Sequence, residues 1–343
     1  MATKVTLRDV AAAAGVAEAT ASRALAGSGQ LSEKTRRRIA DAAARLGYET
    51  AGRAQSSLVD TPRRRGVIGV VVAALNNSFY PYLVDRLHNE LDDLGFDMVL
   101  IIDEITRDRA GRKLRSLIDT LDGVIVTTAM IGSPVVDFLV DRGVPSVLAI
   151  HSNMRNNAHV AESDNVAAGA EALEHLVGLG HRRIALLMGP ATTSTTIGRL
   201  AGARSVLDKA GIPLHTDLLF HTEITHEGGY SGCVQPMRSS DPPTAIFCAN
   251  DVIAIGAPDA ARKMGIDVPG ALSIIGMDDI PMASWSMISL TTIRQSIGEI
   301  GSMAAKLVSE AILLGPDVGP RNQIFPTSLL VRATTGPSKT PQS

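Results

Sequence analysis

From Gly66 onward, short runs of consecutive apolar residues alternate with amphipathic stretches, and this alternation restricts the fold more than any other sequence feature. The run from Val67 to Val72 is apolar throughout apart from one glycine, as in a strand buried on both faces of a parallel sheet. A stretch follows in which leucine recurs every third or fourth residue from Leu83 to Leu94, the spacing of one helix face. The same pairing recurs up to Gly276 and predicts doubly wound parallel sheets of the α/β class.

The alternating elements fall into two similar sets, which predict two lobes. We expect the first lobe to contain about residues 66–161 and 293–321, and the second about 162–290 and 322–333. Two-lobed α/β folds bind small ligands in the crevice at the carboxyl ends of their strands. Residues 334–343 are rich in proline, serine and threonine and are predicted to form a flexible tail.

The first 49 residues show another pattern, in which three short helices follow one another. Thr6 and Ser32 are placed to cap the first and third helices, and Gly15 provides the permissive backbone of a tight turn. The apolar residues at helical spacing are Leu7, Val10 and Ala14, then Ala21 and Leu25, then Ile39, Ala43 and Leu46. Such a unit follows the helix-turn-helix plan of DNA-binding proteins, and a small structural bundle is the alternative.

Charge is distributed unevenly along the chain. Residues 1–65 contain twelve lysines and arginines and six aspartates and glutamates, which gives a formal charge of +6. Because the whole chain has a charge of −2, the remainder carries −8. A basic small domain followed by an acidic larger one indicates that the first part binds a polyanion, and the helix-turn-helix pattern strengthens that interpretation. Residues 50–65, with Pro62 and three consecutive arginines, form the predicted linker.

The composition fits a protein of two or three domains with an aliphatic core, since 45% of the residues are hydrophobic and only 3% aromatic. Cys233 and Cys248 form neither a disulfide framework nor a metal-binding pattern. The beginning of the chain lacks an apolar signal region, and no stretch reaches about 18 apolar residues. We therefore expect a cytoplasmic protein without a membrane partner.

Short motifs are distributed along the whole chain in a characteristic order. The first group is Val5-Thr6-Leu7-Arg8-Asp9-Val10-Ala11, Ala14-Gly15-Val16, Ala19-Thr20-Ala21-Ser22-Arg23, Ser32-Glu33-Lys34-Thr35-Arg36 and Leu46-Gly47-Tyr48. The second group is Gly178-Leu179-Gly180-His181-Arg182-Arg183-Ile184, Arg199-Leu200-Ala201-Gly202, Ala249-Asn250-Asp251, Gly276-Met277-Asp278-Asp279 and Leu290-Thr291-Thr292-Ile293-Arg294-Gln295. In this order and spacing, the chain resembles the lactose-repressor/galactose-repressor (LacI/GalR) family of bacterial transcription regulators over essentially its full length.

The resemblance implies a helix-turn-helix headpiece on a two-lobed core of the periplasmic-binding-protein type. It further implies a homodimer that binds a near-palindromic double-stranded operator, with half-sites about one helical turn apart. The core is expected to bind a small polar effector, a sugar or a related molecule, that controls the operator affinity of a repressor. The protein would then be nucleoid-associated when bound to its operator. No leucine-heptad segment follows Arg332, which favours a dimer over a tetramer.

The resemblance also assigns DNA contacts to particular residues. Outward positions of the second helix, Glu18, Ala19 and Arg23, would reach base edges, because arginine pairs with guanine, glutamate accepts from cytosine and a small alanine fits beside a thymine methyl. Positions expected to contact the DNA backbone or complete the interface are Thr6, Leu7, Thr20, Ser22, Ser32, Thr35 and Tyr48. The alternative for Arg23 is a surface arginine without a base contact.

The linker departs from the family pattern. Thr50-Ala51 stands where the family has a Pro-Asn pair, and Ser57, rather than a leucine, stands where the family inserts a wedge into the minor groove. Leu58 follows one residue later and, with Ala54, is the predicted hinge contact. Arg63, Arg64 and Arg65 either contact phosphates or keep the linker soluble. The recognition helix has Ala17 where a capping serine is usual, which is expected to weaken the helix start by about 1 kcal/mol.

Family positions that line the inter-lobe pocket predict the effector site. In this sequence they are Asn77, Phe79, Tyr80, Asp103, Thr127 or Thr128, His151, Thr195, Arg199, Ile224, Asn250 and Asp278. Carboxylate and amide groups suit hydroxyls, arginine suits an anion or a ring acceptor, and an aromatic ring suits an apolar face. Asp278 could instead be a turn residue, Phe79 and Tyr80 could pack the start of a helix, and His151 could be structural.

Three positions differ from sugar-binding relatives and indicate a less hydroxylated effector than a pyranose. Ile150 stands where an aspartate is common, Ile197 where many relatives have an arginine, and Ile224 where several have a stacking aromatic residue.

No cofactor or catalytic activity is expected, because the eight histidines lack metal-binding spacing and neither a GxSxG motif nor a phosphate-binding loop follows a strand. Two alternatives to the regulator are a sugar-binding protein without DNA regulation and a non-specific nucleoid-type DNA binder.

Overall fold

The computed structural model describes residues 5–25, 32–46, 65–73, 75, 77–103, 111–128, 130–153, 155, 157–315 and 319–339. The chain divides into two compact units, Met1–Arg63 and Arg64–Ser343. This division falls inside the predicted linker.

The first unit contains three helices, α1 (Leu7–Ala13), α2 (Glu18–Leu25) and α3 (Glu33–Leu46). A capping box begins α1, in which Thr6 N donates to Asp9 Oδ2 over 2.8 Å and Asp9 N donates to the Thr6 hydroxyl over 3.4 Å. Ser32 caps α3 by accepting from Thr35 N over 3.3 Å. Gly15, at φ +60°, supplies the left-handed residue of the turn between α1 and α2.

Small aliphatic side chains form the core of this unit. Its buried residues are Val10, Ala11, Ala14, Ala21, Ala24, Ile39, Ala42 and Ala43. The predicted inward positions agree except for Leu46, which lies at the last turn of α3 and is 37% exposed. A core dominated by alanine buries little apolar surface per residue, so the stability of the unit depends strongly on its caps and turns.

The second unit begins with the alternation that the sequence predicts. Its first elements are β1 (Val67–Val72), α4 (Phe79–Asp93), β2 (Asp97–Ile102), α5 (Arg112–Leu117), β3 (Gly123–Val126), α6 (Pro134–Asp141), β4 (Ser146–Ala149) and β5 (His159–Ser163). The next are α7 (Asn165–Gly178), β6 (Ile184–Met188), α8 (Ser194–Lys209), β7 (Leu219–His221), α9 (His226–Met237), β8 (Ala245–Cys248), α10 (Asp251–Lys263), β9 (Ser273–Asp278) and β10 (Thr291–Gln295). The last are α11 (Ile297–Leu314), β11 (Asn322–Phe325) and β12 (Thr327–Leu330).

Two six-stranded sheets organise these elements into two lobes. The first has the strand order β11-β5-β4-β3-β1-β2 and is parallel throughout. The second has the order β12-β10-β9-β8-β6-β7 and is parallel except for β12, which pairs antiparallel with β10. Strands β1, β3, β4, β6, β8 and β9 are almost completely buried, as their apolar runs predict. Strand β5 is buried as well, although its sequence is not an apolar run and did not predict a strand. The predicted doubly wound α/β core is confirmed.

The lobe boundaries differ from the predicted ones near residues 293 and 322, where the chain passes from one lobe to the other. Residues 293–295, predicted for the first lobe, belong to β10 and extend the second sheet beside β9. Residues 322–325, predicted for the second lobe, form β11 and pair with β5 in the first sheet. The helix between them, α11, packs on α4 and on strands of the first sheet. The chain therefore crosses between lobes at residue 164, at residue 296 and at residue 326.

The prediction of a flexible tail from residue 334 is wrong for residues 334–338. The Thr334 hydroxyl accepts from Thr291 N over 2.9 Å and donates to Ile274 O over 2.7 Å. Gly336 O accepts from the ring of His181 over 3.0 Å, and Ser338 N donates to Leu179 O over 2.9 Å. The hydroxyls and backbone groups of residues 334–338 therefore form hydrogen bonds with polar groups of the second lobe, whereas those of a solvated tail would bond to water.

None of the helices in the described ranges is both long enough and apolar enough to span a bilayer.

Candidate DNA-binding and effector sites

The outward face of α2 presents the side chains expected to read DNA. Glu18, Ala19 and Ser22 are exposed, and Thr20 is half-buried. Arg23 lies within α2, but its side chain is outside the described part of the structure, as are Tyr48, Ala54 and Leu58. The helix begins without a capping side chain at Ala17, whose carbonyl oxygen accepts from Thr20 N and Ala21 N over 2.8 and 3.0 Å. A short helix with an exposed first turn has the dimensions of a major-groove reader.

Exposed hydroxyls flank this helix at two other helix starts. Thr6 Oγ1 donates to Asp9 Oδ2 over 2.7 Å, and these contacts lower the pKa of Asp9. Ser32 Oγ lies 2.8 Å from Thr35 Oγ1, so both hydroxyls already have a protein partner. Leu7 is half-buried and packs on the core of the headpiece. Polar groups at helix starts suit phosphate contacts, which position a headpiece without reading sequence.

Residues of both lobes line an open crevice at the carboxyl ends of the strands. The first-lobe residues are Asn77, Phe79, Tyr80, Ile150 and His151. The others are Gly189, Thr195, Thr196, Arg199, Ile224, Ala249, Asn250, Ile253, Asp278 and Gln295. Nine of the eleven predicted effector residues are therefore brought together at this crevice.

The other two predicted residues are not among the lining side chains. Asp103 Oδ2 accepts from Lys113 N and Leu114 N over 3.1 and 3.3 Å, so its carboxylate caps the start of α5. The Thr128 hydroxyl is buried and has no partner among the described residues. Asp103 follows β2, which is an edge strand, and this places it away from the centre of the sheet.

Five lining residues were not predicted from the sequence, namely Gly189, Thr196, Ala249, Ile253 and Gln295, whereas Ile150 was already interpreted as a pocket position. Gln295 is the most informative of these, because its side chain is buried and hydrogen-bonded in the crevice. Its place at the carboxyl end of a largely buried strand of the parallel sheet is the signal that identifies it. The same signal identifies Asp278 at the end of β9.

A continuous chain of hydrogen bonds joins the two charged residues of the crevice. Arg199 Nε donates to Asn165 Oδ1 over 3.0 Å, and Asn165 Nδ2 donates to Ser163 O over 3.0 Å. Ser163 Oγ donates to Gln295 Oε1 over 2.7 Å, and Gln295 Nε2 donates to Asp278 Oδ1 over 2.6 Å. Ser163 and Gln295 end the strands β5 and β10, so the chain passes through two of the places where the polypeptide crosses between lobes.

Close helix packing brings Arg199 to the crevice. A Cβ atom on Gly169 of α7 would lie 2.0 Å from Arg199 O, and one on Gly202 of α8 would lie 1.9 Å from Val166 O. The two glycines therefore allow α7 and α8 to touch through their backbones. A guanidinium nitrogen of Arg199 also donates to Ala249 O at the end of β8.

Two buried carboxyl groups lie near Arg199. Asp251 Oδ1 accepts from the Thr292 hydroxyl over 2.6 Å, and its Oδ2 accepts from Ile280 N over 3.0 Å. Burial raises the pKa of Asp251 above its usual range, and the neighbouring Asp278 adds to this effect. Burial also raises the pKa of Asp278, although Arg199 and the hydrogen bond from Gln295 oppose the rise. Asp251 is fully buried and supports the site, whereas Asp278 lines it.

The first-lobe wall presents aromatic and imidazole groups. The rings of Phe79 and Tyr80 meet edge to face at 5.9 Å. Burial and the charge of Asp278 raise the pKa of Tyr80, so the phenol remains protonated. Burial and the nearby Arg199 lower the pKa of His151 to about 4, so its imidazole is neutral at physiological pH. The preceding Ile150 has φ +74°, which is rare for a β-branched residue.

Comparison with known proteins places both units in one family. Residues 6–51 match the family model of bacterial regulatory proteins of the lacI family, and residues 173–335 match that of a periplasmic binding protein-like domain. The chain is 30% identical over 341 residues to the HTH-type transcriptional regulator DegA of Bacillus subtilis (strain 168), with 98% of this chain and 100% of DegA covered. The chain belongs to the LacI family. The predicted family membership is confirmed.

Other relatives and solved structures agree with this assignment. The HTH-type transcriptional repressor CytR of Escherichia coli (strain K12) is 30% identical, with 97% of each chain covered. The complex of the transcriptional regulator CelR with cellobiose has a TM-score of 0.73 and 27% identity, covering 96% of this chain and 99% of CelR. The lac repressor dimer bound to operator and the anti-inducer ONPF has a TM-score of 0.72 and 28% identity, covering 97% and 100%.

This LacI-family chain is a helix-turn-helix transcriptional regulator with a periplasmic-binding-protein-like core. Its relatives are regulators and not enzymes, as predicted from the sequence.

Proposed function

We propose that this protein is a repressor that binds a near-palindromic operator as a homodimer and changes its operator affinity when a small, sugar-like metabolite enters the crevice. The observation that supports this most strongly is the set of polar side chains, contributed by both lobes, at the carboxyl ends of the strands. A ligand that contacts both lobes stabilises one relative placement of them over others. The structures of CelR with cellobiose and of the lac repressor dimer on its operator support the same combination of partners.

In the headpiece we assign base-edge contacts to Glu18, Ala19 and Arg23. Their position on the first turns of α2 is that of the residues which reach base edges when a recognition helix enters the major groove. Contacts to the DNA backbone are assigned to Thr6, Leu7, Thr20, Ser22, Ser32 and Thr35. Tyr48, Ala54 and Leu58 complete the proposed interface. This activity places the protein in the cytoplasm, with the DNA.

Exposed apolar side chains of the second unit support self-association. The edge strand β2 exposes Val99, Leu100 and Ile102, each by 36–41% of its surface. In the second lobe, Trp285 and Met287 are 56% and 87% exposed. Exposed apolar edges of this kind promote pairing with another chain unless they are covered. A second copy of the chain is the occupant that a near-palindromic operator requires, because a two-fold DNA site is matched by a two-fold protein.

Coupling between the two sites is proposed to act through lobe closure. The lobes already contact each other beside the crevice, where Ile131 N donates to Thr192 O and Ser152 N donates to the Ser194 hydroxyl, each over 3.0 Å. An effector that draws Arg199 and Asp278 toward the first lobe would favour these contacts. The surface formed by the two lobes would then change the spacing between the headpieces.

Gel-shift and footprinting experiments with and without candidate metabolites test the proposed function. Binding to a discrete operator that a metabolite strengthens or weakens supports the regulator. Salt-sensitive binding of equal affinity to every duplex would instead support a nucleoid-type DNA binder. Metabolite binding without any operator binding would support a sugar-binding protein that does not regulate DNA.

A further inference from the structure

Asp122 holds the backbone at the point where the chain enters the first lobe. Its carboxylate accepts three consecutive N–H groups: Arg65 N donates to Oδ1 over 3.0 Å, and Gly66 N and Val67 N donate to Oδ2 over 2.5 and 3.3 Å. Asp122 N in turn donates to Val67 O over 2.8 Å. Hydrogen bonds to a carboxylate are stronger than those between neutral groups, so this one residue fixes the backbone of residues 65–67, here called the entry segment.

The backbone conformation of Gly66 brings these N–H groups together. Gly66 has φ +76°, a left-handed conformation that favours glycine. Such a residue can aim successive N–H groups at one point, and the concavity that results binds an anionic group. Gly66 O also accepts from Asp97 N over 2.7 Å at the start of β2. Because β1 lies between β3 and β2, the entry segment is held from both sides.

Asp122 is itself fixed by the packing of its neighbours in sequence. Leu121 is buried in the core of the first lobe. Gly123 begins β3, and a Cβ atom there would lie 2.8 Å from Val308 Cγ2 of α11. The glycine therefore allows α11 to pack directly against this end of the sheet. A close-packed core transmits strain, so the first lobe resists a pull on the entry segment through Asp122.

Two of the three bonds restrain the linker and contribute nothing to the sheet. The ladders of β1 with β2 and β3 begin at Val67 and Ile68, so Arg65 and Gly66 lie before them. Arg65 is exposed, and water could satisfy its N–H group at this position. The carboxylate of Asp122 instead gives the last residues of the linker a fixed place and direction on the lobe.

This contact determines how much of the linker is free between the DNA and the core. In the proposed DNA interface Leu58 is the last contact, and residues 59–64 separate it from Arg65. Release of residues 65 and 66 would lengthen the free segment by two residues, which adds a reach of about 7 Å to each chain. Because a base-pair step is about 3.4 Å, this reach corresponds to about two base pairs for each headpiece.

We propose that Asp122 is a positioning residue for operator recognition, which fixes the entry segment in each subunit and thereby sets the separation of half-sites that the dimer accepts. This inference rests on the proposed homodimer and its near-palindromic operator. While Asp122 holds the entry segment, each linker starts from a fixed point, and an operator of another spacing is bound less tightly. Without this contact, the longer free segment lets the headpieces reach half-sites at other separations.

Operators of different spacing test the proposal on the full-length protein. The probes are the duplex that the wild-type protein selects from a random library and the same duplex with two base pairs inserted between its half-sites. The insertion also rotates one half-site by about 70° relative to the other. The spacing ratio is the affinity for the selected duplex divided by that for the insertion, both measured by gel shift. We expect a ratio of at least about ten for the wild type and below about three for Asp122→Ala.

Asp97→Ala is the matched control for the loss of a carboxylate. Asp97 is exposed, and its contact with Gly66 uses the backbone N–H, which alanine retains. This variant should keep the wild-type spacing ratio. An unchanged ratio in Asp122→Ala would overturn the proposal and leave the regulator function in place. Wild-type protein that selects no discrete duplex, or that binds both spacings equally, would reject the proposed operator recognition and this inference with it.

A glycine variant tests the same contact without removing Asp122. Alanine disfavours the left-handed backbone of Gly66, so Gly66→Ala should lower the spacing ratio as Asp122→Ala does. Gly143→Ala is the control, because Gly143 also has a left-handed φ, of +64°, but lies in the turn between α6 and β4. A wild-type ratio in Gly66→Ala would contradict the proposal even if Asp122→Ala does not fold.

Hydrogen exchange of the wild-type protein provides a measurement that requires no variant. The amides of Arg65 and Gly66 should exchange at least about tenfold more slowly than those of an unstructured peptide, because both donate to the carboxylate. Exchange at the rate of an unstructured peptide would show that Asp122 does not hold the entry segment and would overturn the proposal.

Discussion

Gln295 Nε2 donates to Asp278 Oδ1 over 2.6 Å, and this single contact joins the effector crevice to a crossing between the lobes. Gln295 is the last residue of β10, directly before the chain leaves the second lobe for α11. Its other atom, Oε1, accepts from Ser163 at the end of β5 in the first sheet. Asp278 is therefore hydrogen-bonded to Gln295 in the second lobe and, through Gln295, is connected to Ser163 in the first lobe.

We predict that Gln295→Ala weakens the effect of metabolite on operator binding more than it weakens operator binding itself. The change leaves Asp278 Oδ1 and the Ser163 hydroxyl without their partners, at a cost of about 1–3 kcal/mol for each unsatisfied buried group. The ratio of operator affinities with and without metabolite, measured by gel shift, should fall. Gln323→Ala, at an exposed residue of β11, is the matched control. An unchanged ratio in Gln295→Ala would show that the crossing does not transmit the effector signal.

We predict that Arg23→Ala relaxes operator discrimination. One bidentate pair between arginine and guanine contributes about 1–3 kcal/mol of discrimination against the wrong base. Binding to the operator should weaken, while binding to unrelated duplex changes little, as measured by competition gel shifts. Arg37→Ala removes the same charge from an exposed position of α3 and should weaken both duplexes alike. Unchanged sequence preference in Arg23→Ala would remove Arg23 from the base contacts.

We predict that His151 lowers the free energy of unfolding of the protein as the pH becomes acidic. The folded pKa of about 4 lies below the ordinary histidine value of 6.5, so folding favours the neutral ring. Its contribution is therefore fully present above pH 6.5 and is lost as the pH falls toward 4, by an amount of order 3 kcal/mol. Urea titrations at several pH values measure the free energies of unfolding of wild type and of His151→Gln. As the pH falls from 6.5 toward 4, the wild type should lose stability relative to the variant. A constant difference would mean that His151 titrates normally.

We predict that an aspartate at the exposed apolar edge prevents dimerisation. Val99→Asp places a charge on β2, and Met287→Asp does so in the second lobe, where the proposed partner chain would bury them. Sedimentation equilibrium should then give the mass of one chain. Ile324→Asp is the control, because Ile324 is 56% exposed on β11 at the opposite edge of the first sheet. Dimers in all three variants would place the interface elsewhere.

Apolar periodicity is sufficient to predict most of the architecture, whereas the residues of the crevice are predicted from the family resemblance, and the strand positions explain why most of those residues meet. Residues such as Asn250 and Asp278 follow buried strands, and parallel strands bring their carboxyl ends to one edge. Asp103 obeys the same rule but follows the edge strand β2, where its carboxylate caps a helix. Strand order is set by long-range packing, so the sequence near Asp103 does not contain this information.

The sequence predicts two other features poorly, namely the places where the chain crosses between lobes and the fixed position of residues 334–338. Both depend on pairing with residues that are distant in the sequence. Strands β10 and β11 are both short and mostly polar in sequence, and only their pairing partners, β9 and β5, decide which sheet each one joins. Thr334 belongs to a segment whose composition is typical of a solvated tail. Its fixed position depends on Thr291 and Ile274, which are 43 and 60 residues away in sequence.

We predict that Thr334→Val destabilises the second unit although it preserves side-chain volume. The hydroxyl accepts from Thr291 N and donates to Ile274 O, and valine leaves both backbone groups unpaired in a buried place. The free energy of unfolding in urea should fall by about 1–3 kcal/mol for the unsatisfied groups. Thr216→Val, at an exposed residue, should change it by less than about 0.5 kcal/mol. Equal effects of the two variants would show that residues 334–338 do not fasten the end of the chain to the lobe.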